Sequence, residues 1–163
     1  MEQEKSEVTT VISKSDTNDF VRIAVNSNEY DKYRQTWNDV TNLNKITDFP
    51  TQLDFELNYS CNFTCPMCTW NAESTEGNSG DTWFDFEVFK EVIDDAVPKG
   101  LKSIRMNYIN EPLLNRDIFK FISYARQAGI LDIYFSTNGS LLTDDVIKKI
   151  INSGLLRLQV SLD

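Results

Sequence analysis

The sequence predicts an α/β fold built on a parallel sheet of about four strand–helix repeats. From residue 51 onward, short β-type runs alternate with amphipathic segments of about 10 to 15 residues. Glycine or proline ends these amphipathic segments, as is common at helix C-termini. Parallel strands need such crossovers, and right-handed crossovers place successive strands side by side. A chain of 163 residues, 40% of them apolar, is long enough for one domain with a buried core.

Residues 1–48 precede the repeats and are predicted to form an N-terminal extension. Residues 1–18 are mostly polar, so we expect this extension to be partly flexible. Residues 20–25 are predicted to form a short strand. An aromatic and apolar stripe then recurs at three- and four-residue spacing, formed by Tyr30, Tyr33, Trp37 and Val40. This spacing predicts a helix that packs its aromatic face against the main body.

Four strands and three helices are predicted to make up the repeats. The predicted strands cover residues 52–57, 101–108, 131–136 and 156–162. The first helix is predicted to begin after Asp85 and the third after Thr143, because both side chains accept hydrogen bonds from the first N–H groups of a helix. Asn115 is predicted to cap the second helix, with Asp117 in its first turn.

Residues 49–163 are predicted to form the core of the protein, incomplete at its C-terminus. The last predicted strand is followed by Asp163 without a helix, so an apolar parallel strand stands at the edge of the sheet. We therefore expect the chain to be the N-terminal part of a longer protein.

All three cysteines lie in one loop after the first predicted strand. Cys61, Cys65 and Cys68 have the spacing C-x3-C-x2-C, which favours a metal centre in a reducing compartment. The chain has no histidine and no fourth cysteine, so it cannot complete a closed four-ligand zinc site alone. A 4Fe–4S cluster held by three thiolates keeps one iron open for a small molecule. A zinc site completed by a partner chain, and thiols that bind no metal, are the remaining alternatives.

Polar segments follow the other three predicted strands. They read Ile-Asn-Glu-Pro at 109–112, Ser-Thr-Asn-Gly at 136–139 and Val-Ser-Leu-Asp at 160–163. With the cysteine loop, these segments resemble the radical S-adenosylmethionine (radical SAM) enzymes over residues 50–163. The pattern around the cysteines is most similar to members with a C-terminal SPASM-type auxiliary-cluster domain.

This resemblance implies a fold and a reaction. The fold would be the first four repeats of a (β/α)6 TIM-like barrel. The cofactors would be a 4Fe–4S cluster and S-adenosylmethionine (SAM). An electron delivered through the cluster would cleave SAM to methionine and a 5′-deoxyadenosyl radical, which abstracts hydrogen from a substrate. Cys61, Cys65 and Cys68 would each bind one iron, and Met67 would lie beside the adenine.

The resemblance also places polar side chains around SAM, namely Asn110, Glu111, Thr137, Asn138, Ser161 and Asp163. Glu111 is expected to bind the amino group, because a carboxylate suits an ammonium. The segment at 136–139 would reach the methionine end of SAM. The segment at 160–163 would reach the carboxylate and the ribose of SAM. Two simpler interpretations stay open here. Glu111 is then a solvated loop carboxylate, and the other two segments are ordinary turns at strand ends. The family has two glycines where this chain has Ile109 and Asn110, so the backbone there is expected to differ.

Charge and hydropathy restrict the partners. The net charge of −9 argues against a protein that binds nucleic acid or the surface of an anionic membrane. No window approaches the roughly 18 apolar residues of a membrane span, and the N-terminus lacks a signal peptide's apolar core, so a cytoplasmic protein is expected. The resemblance implies an electron donor such as flavodoxin or ferredoxin. It leaves the substrate open between a peptide, which the SPASM-type likeness favours, and a small molecule.

Three functional hypotheses follow from these residues. The first is a radical SAM enzyme, for which no residue is assigned as the catalytic acid, base or hydrogen donor. The second is a non-enzymatic iron–sulfur module for electron transfer or sensing. The third is a fragment that keeps the cluster site but cannot enclose a substrate. Three cysteines favour the first over the second, because an electron carrier gains nothing from an open iron.

Overall fold

The computed structural model of the chain describes residues 27–68 and 83–162. Three expectations lie outside the described residues. They are the partly flexible extension over 1–18, the strand over 20–25 and the role of Asp163.

Four strands form one parallel sheet in sequential order. They are β1 (Gln52–Asp54), β2 (Ser103–Arg105), β3 (Asp132–Thr137) and β4 (Arg157–Val160). Each strand pairs in parallel with the next, so Leu53, Ile104 and Ile133 are register partners across the sheet. This order confirms the predicted α/β class, because helical crossovers join strands that lie side by side.

The predicted bounds of the first two strands were wrong. β1 and β2 contain three residues each, although residues 52–57 and 101–108 were expected to be extended throughout. After β2, two backbone N–H groups donate to a side chain instead of to a neighbouring strand. The Glu56 carboxylate accepts from the N–H groups of Tyr108 at 3.0 Å and Ile109 at 2.9 Å. The strands therefore open into loops at their C-terminal ends.

Four α-helices accompany the sheet. They are α1 (Ser27–Thr41), α2 (Phe86–Ala96), α3 (Ile118–Ala128) and α4 (Asp144–Ser153). As predicted, Asp85 caps α2 by accepting from two backbone N–H groups, and Thr143 caps α4 by accepting from Val146 N–H. Gly129 and Gly154 end α3 and α4 in left-handed conformations, with φ of 102° and 88°, which glycine adopts without strain.

The predicted cap of α3 was wrong. Asp117, not Asn115, occupies the N-cap position, and its side chain makes no capping hydrogen bond. The Asn115 side chain is buried and has other partners. It donates to the Leu57 carbonyl at 3.1 Å and accepts from the Asp117 N–H at 2.9 Å. Asn115 therefore ties the start of α3 to the chain leaving β1.

The hydrophobic core lies between one face of the sheet and α2, α3 and α4. Ile104, Ile133 and Phe135 project from the strands and are fully buried, as are Phe89 and Ile93 of α2. The opposite face carries polar residues, because side chains alternate along a strand. One row across that face contains the register partners Asp54, Arg105, Tyr134 and Arg157.

Helix α1 docks where β3 and β4 begin. Tyr30 and Tyr33 are buried against Leu131, which confirms the predicted packing of the aromatic stripe. The Tyr33 hydroxyl donates to Asp132 at 2.9 Å. Asp132 is fully buried and also accepts two hydrogen bonds from the Arg157 guanidinium, both at 2.9 Å. This network holds α1 at the end of the sheet opposite to the cysteine loop.

The Tyr33 hydroxyl makes stability depend on pH. Burial, and then the negative charge of Asp132, raise the pKa of Tyr33 well above its usual value of 10.0. The stabilisation is therefore complete below about pH 10 and is lost as the pH rises further. We expect the free energy of unfolding to fall above pH 10, more steeply for the wild type than for Tyr33→Phe, by up to about 1.4 kcal/mol per pH unit. Urea denaturation across this range measures both slopes, and equal slopes would contradict the assignment.

Across residues 27–68 and 83–162, no helix combines the length and apolar character needed to cross a bilayer.

Candidate functional site

The cysteine loop opens into a cavity at the C-terminal ends of the strands. Cys61, Cys65 and Cys68 all line this cavity, which has a volume of about 500 Å³. None of the three is in a disulfide, and each is partly exposed. A short turn, in which Cys68 N–H donates to the Cys65 carbonyl at 3.0 Å, holds the last two close together. Parallel α/β folds build their ligand sites at this end of the sheet.

Asparagine side chains fix the loop to its neighbours. Asn58 is buried, and its amide donates to the carbonyls of Ser60 at 2.9 Å and Glu111 at 3.1 Å. Asn110 returns a hydrogen bond to the Asn58 carbonyl at 2.9 Å. The start of the loop is therefore bound to the segment that follows β2.

A second set of contacts ties the loop to the segment after β3. Asn62 donates to Ser140 Oγ at 2.8 Å and accepts from the Asn138 amide at 2.9 Å. The same Asn138 nitrogen lies 4.0 Å from Cys61 Sγ. A hydrogen-bond donor beside a cysteine sulfur is one of the means by which proteins tune an iron–sulfur centre.

Glu111 is the most firmly held carboxylate of the site. It is 2% exposed, so the alternative of a solvated loop carboxylate was wrong. One oxygen accepts from Thr137 Oγ1 at 2.8 Å and Leu113 N–H at 3.1 Å, and the other accepts from Asn138 N–H at 2.8 Å. A carboxylate has about four acceptor positions, so three donors leave one position for a ligand.

Neither Ile109 nor Asn110, the two residues before Glu111, has a positive φ. Among the described non-glycine residues, the only positive φ is 60° at Leu43. Ile109 and Asn110 therefore follow an ordinary path that their side chains tolerate. The two hydrogen bonds that Glu56 accepts from Tyr108 and Ile109 support this path.

Nine of the ten residues predicted for the site line the same cavity. They are Cys61, Cys65, Met67, Cys68, Asn110, Glu111, Thr137, Asn138 and Ser161. Met67 is 66% exposed, Thr137 is buried, and Ser161 N–H donates to the Thr137 carbonyl at 2.9 Å. Thr137 and Asn138 also make turn contacts, since each accepts a hydrogen bond from a backbone N–H two residues on. The residues that form this turn therefore also form part of the cavity wall.

Four residues of the cavity wall were missed from the sequence. They are Arg105, Asn107, Ser136 and Gln159, all on the polar face of the sheet. Asn107 is buried, donates to the Asn110 carbonyl at 3.0 Å and accepts from Ser136 N–H at 2.9 Å. The period-two alternation of these strands was the available signal, because it places alternate polar residues on one face.

The three thiols fit a cluster of several irons. In the described part of the chain, no three thiol, carboxylate or imidazole groups are arranged to hold a single metal ion. A 4Fe–4S cluster does not need such convergence, because each cysteine binds a different iron. The side-chain oxygen of Asn110, a residue of the cavity wall, is buried and has no partner among the described residues.

Comparison with known proteins agrees with this site. The family model of the Radical SAM superfamily matches residues 55–163. The AdoMet-dependent heme synthase of Methanosarcina barkeri is 33% identical over 118 residues, 72% of this chain and 32% of the relative. A probable GTP 3′,8-cyclase of Metallosphaera sedula is 35% identical over 106 residues, 65% of this chain and 32% of the relative. The mycofactocin maturase MftC of Mycolicibacterium smegmatis is 31% identical over 120 residues, 71% of this chain and 28% of the relative.

A solved structure shares the fold. The crystal structure of BtrN in complex with AdoMet and 2-DOIA superposes with a TM-score of 0.59 at 19% identity, covering 71% of this chain and 46% of that one. The chain spans about a third of the length of the curated relatives it matches. The family match covers most of the chain and includes every cysteine. This chain belongs to the radical SAM superfamily.

Proposed function

We propose that this chain forms the cluster- and SAM-binding part of a radical SAM enzyme. One observation carries the proposal: the three cysteines share a single cavity with Glu111, Thr137 and Asn138 at the C-terminal ends of the strands. The superfamily uses a 4Fe–4S cluster and SAM. Cys61, Cys65 and Cys68 would hold the cluster, which would supply the electron for cleavage of the sulfonium–carbon bond of SAM to methionine and a 5′-deoxyadenosyl radical.

The residues of the chain have distinct tasks in this proposal. Cys61, Cys65 and Cys68 hold the cluster as thiolates, and Asn138 donates toward the sulfur of Cys61. Glu111 is held by three donors and offers its remaining acceptor position to the SAM ammonium. The fixed carboxylate orients SAM without needing to reorganise on binding.

The other predicted contacts complete the SAM site. We assign Met67 to the adenine, Asn110 with Glu111 to the amino group, and Thr137 with Asn138 to the methionine end. Ser161 and Asp163 are assigned to the carboxylate and ribose. The shared cavity supports the assignment for all of these except Asp163, which the structure does not describe. We assign residues 1–48 as an extension and residues 49–163 as the partial core.

The substrate and partners are proposed at a coarser level. The relatives are named for different products, so family membership leaves the substrate open. We propose a peptide, since the residue pattern around the cysteines is similar to SPASM-type members, and a flavodoxin or ferredoxin as the electron donor. A cytoplasmic location is proposed because the thiolates must stay reduced.

Anaerobic reconstitution with iron and sulfide, followed by reduction with SAM present, tests the enzyme directly. We expect 5′-deoxyadenosine to form, and liquid chromatography measures it. A well-formed cluster with no SAM cleavage would favour the electron-transfer module or the inactive fragment. Stoichiometric zinc without iron would contradict every form of the proposal.

A further inference from the structure

Arg105 is a partly buried arginine whose guanidinium has no hydrogen-bond acceptor among the described residues. It is the last residue of β2 and lines the cavity that contains the three cysteines. Its Nε atom is buried and has no hydrogen-bond partner. The described ion pairs do not include Arg105. The guanidinium carbon lies 5.4 Å from the ring centre of Tyr108. This cation–π contact does not supply a hydrogen-bond acceptor for the N–H groups in the guanidinium plane.

Two other half-buried arginines are supplied with acceptors by the fold. Arg126 donates to the carbonyls of Ile130 at 3.2 Å and Leu131 at 2.9 Å. Arg157 makes two hydrogen bonds to the Asp132 carboxylate. Both therefore have structural partners within the chain. Arg105 differs from them because its guanidinium faces a cavity rather than an acceptor of the fold.

Among the described residues, no nearby carboxylate forms an ion pair with Arg105. Its register partner Asp54 accepts a hydrogen bond from the Gln52 side chain at 2.8 Å. Glu111 is the only carboxylate among the described residues that line the cavity, and three donors already hold its oxygens. One oxygen of Glu56, on the chain leaving β1, accepts from the backbone of Tyr108 and Ile109, and its other oxygen is buried without a partner among the described residues. Arg105 is likewise the only cation of this described lining. A guanidinium that lines a cavity and has no ion pair among the described residues is suited to pair with an anionic group of a ligand.

We propose that Arg105 binds a carboxylate or phosphate group of a molecule in this cavity. The planar guanidinium presents parallel N–H donors that match both groups, and such charge-assisted pairs are strong and orienting. The inference rests on the proposed function, which makes this cavity the site of SAM and substrate. The acidic group has two sources, the methionine carboxylate of SAM and an acidic group of the substrate.

Binding to the reconstituted protein distinguishes the two sources. Calorimetry would titrate SAM and decarboxylated SAM into the wild type and Arg105→Gln, and then inorganic phosphate into each SAM-loaded protein. If SAM supplies the group, the variant binds SAM about 10- to 100-fold more weakly and binds decarboxylated SAM like the wild type. If the substrate supplies it, both adenosyl compounds bind equally to the two proteins. Phosphate then binds the SAM-loaded wild type and not the variant.

Matched variants keep the test interpretable. Arg116→Gln removes the same charge from an exposed residue outside this cavity lining, and we expect it to match the wild type in each titration. Arg105→Lys keeps the positive charge but lacks the planar set of guanidinium N–H donors. We expect it to bind the acidic group with intermediate strength. It also replaces Arg105→Gln if circular dichroism shows that the glutamine variant does not fold.

The results separate this inference from the proposed function. If Arg105→Gln matches the wild type in the SAM and phosphate titrations, the inference is overturned even where 5′-deoxyadenosine forms. If phosphate binding depends on Arg105 but no 5′-deoxyadenosine forms, the anion site stands and the proposed function fails.

Discussion

Cys65→Ala is expected to abolish assembly of the iron–sulfur cluster. Two thiolates remain, and they cannot hold the irons that three cysteines of this cavity would hold. We expect the iron content after anaerobic reconstitution to fall from about four per chain to near zero, with loss of the cluster's visible absorbance. Iron analysis and absorbance spectroscopy measure both quantities.

Met67→Leu is the matched control for this substitution. Met67 lies in the same loop, is 66% exposed and supplies no thiolate, so its variant should assemble the full cluster. If Cys65→Ala kept full iron content and absorbance, the assignment of the three cysteines as ligands would be wrong.

Glu111→Gln is expected to weaken SAM binding about tenfold or more. The change removes the negative charge that faces the ammonium, and a hydrogen bond to a charged group contributes about 1.5–3 kcal/mol. It also replaces an acceptor oxygen with an amide donor, opposite the donors Thr137 and Asn138 that now hold the carboxylate. We therefore expect the free energy of unfolding to fall by about 1–3 kcal/mol. Calorimetry with SAM and urea denaturation measure the two effects.

Glu87→Gln provides the control, since Glu87 is an exposed carboxylate on α2 whose side chain forms an ion pair with Lys90. Exposed pairs contribute at most about 1 kcal/mol, so neither SAM affinity nor stability should change much. Unchanged SAM affinity in Glu111→Gln would show that this carboxylate is structural only.

Much of the fold was accessible from the sequence because its local signals agree with its tertiary structure. The caps at Asp85 and Thr143 and the glycines that end α3 and α4 act through nearby backbone groups. The order of strands and helices followed from the alternation of short and long apolar patterns. The same reasoning failed for Asn115, because its partner at Leu57 is 58 residues away in sequence.

The site could be predicted only in part, because some of its contacts also join residues that are distant in sequence. The cysteines and the polar strand ends are visible as short segments, and the fold places them at one edge of the sheet. Arg105 and Asn107 are not visible in this way. Alternation divides a strand into two faces, but only the packed structure shows which face the helices cover and which face lines a cavity. Glu56 was missed because its partners belong to a loop about 50 residues away.

We propose that the open iron of the cluster and the side chains of this cavity together bind the amino end of SAM. Electron–nuclear double resonance on the reduced, reconstituted protein, with SAM carrying 15N at its amino group, tests this claim most directly. We expect 15N hyperfine coupling to the cluster in the wild type. Absence of that coupling at saturating SAM, with the cluster fully assembled, would contradict it.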